Sequence, residues 1–407
     1  MYNNHMTIIR AIIFLITRNL FTHLDTIMAW VKPLKKTIPQ PNTMLINRWD
    51  RIGDAVLTLP LVHAIKTKFP SITIDMLCST GNAWVFENNP HINRVIELPG
   101  VGFTYGLKRI VRFLFAPFNA RIKNQLKAAI GNRHYDVCLD CVSGEFSWLL
   151  KPFATTLIGP KTEDGFSWIY DAYPSAPIRY AKKPLAQYYM DALNERMGNP
   201  SAIIEHIANV PINHSTNVDT VLSKLTGEFI LVSLAGSGID RALPIHTWQS
   251  LLQSLSESFQ VVVFDDHSQQ TIQSIGSKMP ENIMVVQPLT LPELAAISRK
   301  ARVLIGVEGG AAHYCATQCN TLMIFGAKFY RHHYNAWLPN GGAFKQISTT
   351  KNEVLLSNGS GAAVLIERPK KQVPFKPYYI AKEPLSLSAD IILTKLNETH
   401  LNKWYDK

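Results

Sequence analysis

Two rhythms of apolar and polar positions run along the chain: short apolar runs of strand length, and longer segments with helical spacing. The first run is Met44-Leu-Ile-Asn47, followed by the loop Arg48-Trp-Asp-Arg-Ile-Gly-Asp54. A helix is predicted from Ala55 to Lys68, with Val56, Leu59, Val62, Ala64 and Ile65 apolar. Pro60 is placed near its first turn, where proline is tolerated. Ile72–Leu77, Val95–Leu98, Tyr135–Asp140 and Leu157–Gly159 read as further strands, with a helix near Phe146–Phe153 and another over Leu185–Met197. Strand–helix–strand spacing of this kind implies a parallel sheet.

The rhythm restarts at Phe229-Ile-Leu-Val-Ser-Leu234 after a polar, proline-punctuated stretch from about 160 to 215. A turn at Ala235–Arg241 leads to a predicted helix over Ile245–Ser256. Strands follow at Val261–Phe264 and Ile283–Val286, then a helix over Leu291–Arg299 with Pro292 and Glu293 in its first turn. Val303-Leu-Ile-Gly-Val307 and Thr321-Leu-Met-Ile-Phe-Gly326 bracket a sharp Glu308-Gly309-Gly310 turn and a short helix. Beyond Gly326 the chain reads as loop-rich until a helix over Ala389–Leu396. The expected organisation is an extension over 1–42, which contains a possible interfacial helix and ends at Pro39-Gln-Pro41. Two α/β domains over 43–215 and 216–375 and a helical segment over 376–407 complete it. Each domain opens with a strand and a glycine-containing turn, so the fold class is α/β with two Rossmann-like halves and a ligand cleft between them.

Charge narrows the range of partners. Forty-one Lys and Arg against 30 Asp and Glu, net +11, favour anionic ligands or surfaces. Aromatic and basic residues do not interleave in a recognisable nucleic-acid motif, so nucleic acid is not expected. Residues 102–130 carry Lys108, Arg109, Arg112, Arg121, Lys123 and Lys127 among Ile110, Val111, Phe113, Leu114 and Phe115. Such a segment is either a solvated helical face or a dock for an acidic membrane surface or an anionic acceptor. No stretch reaches the roughly 18 apolar residues of a membrane span, and Met6–Ile16 is interrupted by Arg10 and lacks the cleavage site of a signal peptide. The five cysteines, 78, 138, 141, 315 and 319, read as buried thiols of a reducing compartment. Cys138 and Cys141 lie three apart in a strand, so their side chains point to opposite faces and do not converge on a metal.

Three turns can carry chemistry. In Arg48-x-x-Arg51-Ile-Gly53-Asp54, a carboxylate exposed at the sheet's carboxyl edge could act as a general base; Asp54 could equally be the N-cap of the following helix, the commoner role for an acid there. In Gly236-Ser237-Gly-Ile-Asp-Arg241, an arginine beside a glycine-rich loop could clamp a diphosphate or simply face solvent. In Glu308-Gly309-Gly310-Ala311-Ala-His313, unpaired N–H groups at a helix start form an anion site or merely a tight turn. None matches the dinucleotide or P-loop fingerprints, and no cluster has metal-ligand spacing.

These turns together resemble glycosyltransferase family 9, the lipopolysaccharide heptosyltransferases. The resemblance runs from Arg48-x-x-Arg-Ile-Gly-Asp-Ala-Val-Leu-Thr-Leu-Pro60 through Tyr135–Asp140, Gly236-Ser-Gly, Arg241-Ala-Leu-Pro244 with Trp248 and Leu291-Pro-Glu-Leu294 to Gly306–His313. It implies a GT-B fold, with two facing Rossmann-like domains of parallel sheet, a deep interdomain cleft and a C-terminal helix that often crosses back to the first domain. It further implies metal-independent, inverting transfer of heptose from ADP-heptose to a lipid-linked, anionic lipopolysaccharide core acceptor. No resident cofactor is implied, because the nucleotide sugar is a substrate. Asp54 becomes the catalytic base, and Arg48, Arg51 and Gly53 line the acceptor side. Ser237, Arg241, Glu308, Gly309, Gly310, Ala311 and His313 hold the donor. The implied location is the cytoplasm, peripheral to the inner membrane face. Arg241 and Glu308 depart from the family's usual Lys and Asp, and Asp265-Asp266 stand where glycines are usual. Transfer from a different nucleotide sugar, or non-catalytic binding of a nucleotide sugar or glycan, are the alternative readings.

Overall fold

The computed structural model describes residues 23, 27, 38–101, 112, 115–142, 146–161, 167–174, 178, 183–197, 204, 208–234, 242–265, 270–276, 279–286, 289–326, 344–350, 353–358, 361–368 and 385–399. The chain forms two compact units, Met1–Ile204 and Glu205–Lys407. The division lies ahead of the expected 215/216 boundary because the residues before it already bond into the second unit. Asn213 donates its N–H to the Pro292 carbonyl at 3.1 Å. Ser215 donates its hydroxyl to Glu293 at 2.5 Å, and the Tyr314 hydroxyl reaches the Pro211 carbonyl at 2.6 Å.

The first unit runs β1 (Thr43–Arg48), α1 (Ile52–Lys68), β2 (Thr73–Ser79), β3 (Arg94–Leu98), α2 (Ala120–Ile130), β4 (Tyr135–Asp140), β5 (Ala154–Ile158) and α3 (Leu185–Met197). Its sheet is parallel in the order β3-β2-β1-β4-β5. Central β1 is buried along nearly its whole length, as a strand covered on both faces must be. Leu45, Leu77, Cys138 and Leu157 share one core with Ile122, Leu126 and Ile130 of α2. The start of α1 lies at Ile52, three residues before the expected Ala55, so Pro60 sits inside the helix rather than in its first turn. There it removes one intrahelical bond; its ring is buried instead. The Asp136 carboxylate fastens the chain entering β1, accepting from the N–H groups of Asn42 and Thr43 at 2.7 and 3.0 Å.

The second unit runs α4 (Thr216–Leu222), β6 (Phe229–Ser233), α5 (Ile245–Ser256), β7 (Gln260–Phe264), α6 (Gln270–Ile275), β8 (Ile283–Val285), α7 (Leu291–Ser298), β9 (Val303–Val307), α8 (Gly310–Cys315) and β10 (Thr321–Phe325). Three strands that the loop-rich reading missed follow: β11 (Lys345–Thr349), β12 (Glu353–Ser357) and β13 (Ala362–Glu367); α9 (Ala389–Glu398) closes the unit. The eight-stranded order is β11-β12-β13-β10-β9-β6-β7-β8. Because β11, β12 and β13 pair antiparallel, this sheet is mixed and not wholly parallel as expected. Alternation sorts the core cleanly. Ile230, Val232, Val261, Val263, Val303 and Ile305 pack on one face with α5 and α9, while Phe229, Leu231, Val262, Phe264 and Leu304 pack on the other. The closing helix therefore belongs to the second unit's core: Ile392 and Leu396 join Trp248 and Leu251, and Leu385 donates its N–H to the Ala242 carbonyl at 2.9 Å.

Candidate active site

In each unit the strand order reverses beside the first strand, between β1 and β4 in the first and between β6 and β9 in the second. Connections leave such a pair in opposite directions, which opens a crevice at the strands' carboxyl ends where open α/β sheets take their ligands. The candidate residues that the structure describes lie in the elements that follow β1 and β9 at these two points.

At the first switch point, β1 ends in Asn47 and Arg48, and β4 ends in Asp140. The floor is polar and bonded except at Asn47 Oδ1, which is buried without a hydrogen-bond partner among the described residues. Asn47 donates to Asp140 Oδ1 at 2.7 Å, the Tyr170 hydroxyl to Asp140 Oδ2 at 2.6 Å, and the Val142 N–H to Asp140 Oδ1 at 3.1 Å. Tyr189 closes it by donating to the Cys141 carbonyl at 2.8 Å. Burial, reinforced by Asp140, pushes the Tyr170 hydroxyl well above its ordinary value, so it stays protonated.

Asp54 follows β1, half-buried, as the third residue of α1. Arg51, not Asp54, is the N-cap residue, in extended conformation with no side-chain cap bond. The capping reading of Asp54 therefore falls, and its carboxylate sits in the first turn, where the helix dipole favours negative charge. Arg51 is exposed and Gly53 is buried between the two. Arg48, expected to line the acceptor side, is only 2% exposed. Its Nη1 donates to Asp50 Oδ2 at 2.8 Å and its Nε to Thr58 Oγ1 at 2.9 Å. Thr58 in turn donates to the Asp54 carbonyl at 2.8 Å. Burial, with the Asp54 charge behind it and Arg48 opposing, raises the Asp50 carboxyl to about 7. Asp50 was not singled out by sequence, although it lies inside the quoted Arg48–Asp54 loop.

At the second switch point, Ser233 ends β6 opposite Gly306 of β9. A Cβ on Gly306 would come 2.7 Å from Ser233 Cβ and 3.2 Å from its carbonyl oxygen, so only glycine lets the strands meet there. Beyond β9, Glu308 and His313 are buried and paired, His313 Nε2 to Glu308 Oε1 at 3.2 Å. Gly309 is the N-cap of α8, and Gly310 and Ala311, both half-buried, open the helix. The first-turn N–H groups have no partner four residues back, which leaves them available to an anion. Among the described residues, His313 Nδ1 and Ser233 Oγ are buried with no hydrogen-bond partner. Ser237 and Arg241 lie outside the described residues, as does Asp266. Asp265 is engaged with its own unit: its Oδ2 accepts the N–H groups of Thr271 and Ile272 at 2.8 and 3.0 Å, at the start of α6. Among the described residues no group of three or more His, Cys, Asp or Glu is placed to hold a metal ion.

Two Rossmann-like units, each with its candidate residues at the switch point, define the GT-B class of fold. No protein-family model matches the sequence, and no curated protein matches it. Solved structures do match by fold. A glycosyl transferase family 9 structure from Veillonella parvula aligns over 91% of this chain and 99% of its own, at 15% identity and a TM-score of 0.62. E. coli heptosyltransferase WaaC with ADP aligns over 88% and 99%, at 17% identity and 0.58. E. coli ADP-heptose lps heptosyltransferase II aligns over 89% and 99%, at 11% identity and 0.54.

Proposed function

We propose that the chain is an inverting glycosyltransferase of the heptosyltransferase type, transferring heptose from ADP-heptose to a lipopolysaccharide core acceptor. The observation that carries the reading is Asp54: a half-buried carboxylate in the uncapped first turn of α1, at the switch point of a fold shared with heptosyltransferases. The acceptor hydroxyl gives its proton to Asp54 as its oxygen attacks the anomeric carbon. The bond from that carbon to the donor phosphate breaks, and ADP leaves with the electron pair. Attack opposite the leaving group inverts the anomeric centre. Gly309, Gly310 and Ala311 supply N–H groups to the diphosphate, Ser237 and Arg241 add a hydroxyl and a cation, and Glu308 with His313 meets the sugar. No resident cofactor or metal takes part in this scheme.

The acceptor's lipid side is assigned to a basic surface of the first unit. Between Glu97 and Asp136 the chain carries Lys108, Arg109, Arg112, Arg121, Lys123, Lys127 and Arg133 and no acidic residue. Arg121, Lys123 and Lys127 are exposed on α2, beside Phe115 and Phe118 at 63% and 81% exposure. Cations around exposed aromatics suit an anionic bilayer surface, at the cytoplasmic face of the inner membrane. Among the described residues no helix is long and apolar enough to cross a membrane.

The test is transfer from ADP-heptose to heptose-deficient lipopolysaccharide, run beside a thermal-stabilisation screen of nucleotide sugars. Transfer by the wild type that is lost in Asp54→Ala, with donor binding retained, supports the reading; unchanged turnover in that variant overturns it. One observation favours a second reading, a donor carrying another sugar. Glu308 reaches one methylene further than the usual aspartate and is engaged with His313. Stabilisation by a different nucleotide sugar alone would select that reading. Stabilisation without transfer to any acceptor would mark a non-catalytic binder.

A further inference from the structure

The Arg48–Asp50 pair has no part in the scheme above, yet it touches the turn that presents the base. Arg48 bridges three places in the chain. Its carbonyl accepts from Asn82 Nδ2 at 2.8 Å, its Nη1 holds Asp50, and its Nε holds Thr58. Asn82 is itself fixed, its Oδ1 accepting from the Ser79 N–H and hydroxyl at 3.0 Å each. Thr58 passes the link to the Asp54 carbonyl. The loop before α1 and the helix's first two turns are thus tied to one buried guanidinium. Among the described residues, Arg48 Nη2 and Asp50 Oδ1 are buried and have no hydrogen-bond partner. A buried pair left partly unsatisfied is a costly arrangement for stability alone.

We propose that Arg48 and Asp50 are positioning residues for Asp54: the pair locks the turn that presents it. This rests on Asp54 acting as the base. The charged and titratable groups around the pair are Asp54 on α1, Cys78 on β2, Cys141 after β4 and Tyr189 on α3. Burial holds both thiols above their ordinary range and keeps Tyr189 protonated, so neither thiol nor phenol adds charge near neutrality. The charge state of the cluster is therefore set by Asp50. Its carboxyl sits near 7, raised by burial and by Asp54, so it ionises across the neutral range. An ionised Asp50 holds the Arg48 guanidinium that braces the turn by a charge-assisted bond; a protonated one holds it less firmly.

The experiment has two readouts on the full chain. Carboxyl NMR of aspartate-labelled protein follows the titration without any substrate. A resonance titrating near pH 7 is expected, absent in Asp50→Asn and moved to lower pH in Asp54→Asn, which removes the like charge. If that resonance is missing from the wild type, or is unmoved by Asp54→Asn, the proposal is overturned. The second readout is kcat against pH with ADP-heptose and heptose-deficient lipopolysaccharide. The wild type should gain rate through about pH 7, Asp50→Asn should lose that limb, and Asp50→Glu should restore it. Thr58→Val, which cuts the brace without touching charge, should lower kcat by up to about 10²-fold and keep the limb. Asp50→Asn with the wild-type profile, beside an inactive Asp54→Asn, overturns the role of the pair alone. An active Asp54→Asn overturns the base assignment and this proposal with it.

Discussion

The two switch points are built from opposite materials. The first is braced by charge: Arg48 and Asp50 lie under the start of α1, and Asn47, Asp140 and Tyr170 form a bonded floor. The second is opened by absence: Gly306 lacks the Cβ that would strike Ser233, and Gly309 and Gly310 leave the start of α8 bare. A base needs a held geometry and a controlled field, which buried ion pairs supply. A diphosphate needs close approach to N–H groups, which glycines supply. One topology thus ends in two different constructions, and the proposed scheme gives each a separate chemistry.

Four substitutions separate the two constructions. The largest effect is expected at the charged one: Asp54→Asn should cost roughly 10²- to 10⁴-fold in kcat while calorimetric donor affinity stays put. Weakened donor binding in that variant would mean the two switch points are not divided as described. Next, Glu308→Ala should cost donor binding about 1.5–3 kcal/mol, by removing a charged partner of the sugar and of His313. An unchanged calorimetric Kd would remove Glu308 from the donor site.

A steric change should act on the open one. Gly306→Val forces β6 and β9 apart and should lower unfolding free energy by about 1–3 kcal/mol in urea titration, with donor binding reduced alongside. A variant as stable as the parent would show that the strands have slack there. The smallest effect is a pH dependence of stability. The Asp50 carboxyl is raised from 3.8 to about 7 on folding, so the folded chain favours its protonated form. That contribution is present at low pH and is lost as pH rises through about 7. The melting temperature of the wild type relative to Asp50→Asn should therefore fall over this range. No relative change would show that the carboxyl is solvated in the folded state.

Much of this layout is legible locally. The buried runs at β1, β6, β9 and β10 are strand-length apolar runs, and the glycine turns after β1 and β9 are turn signals, that read directly. The antiparallel strands β11 to β13 carried a signal too: Ala362-Ala-Val-Leu-Ile366 is a strand-length apolar run after the Asn358-Gly-Ser-Gly361 turn. Gly361 there has φ of +119°, which a side chain would resist. They were missed because polar and proline-rich residues on either side masked the run.

The sequence by itself determined the two α/β rhythms, the glycine turns after β1 and β9 and Asp54 at the first of them, since apolar run length, turn chemistry and local charge depend on near neighbours alone. Whether Asp54 capped its helix turned on where that helix begins. The burial of Arg48 and its bonds to Asp50 and Thr58 appear only in the folded chain. Tertiary structure also brought Asn82 to Arg48, Tyr170 to Asp140, and Ser233 to Gly306. These pairings join residues distant in the chain, and desolvation and ion pairing exist only after the sheet has folded around them.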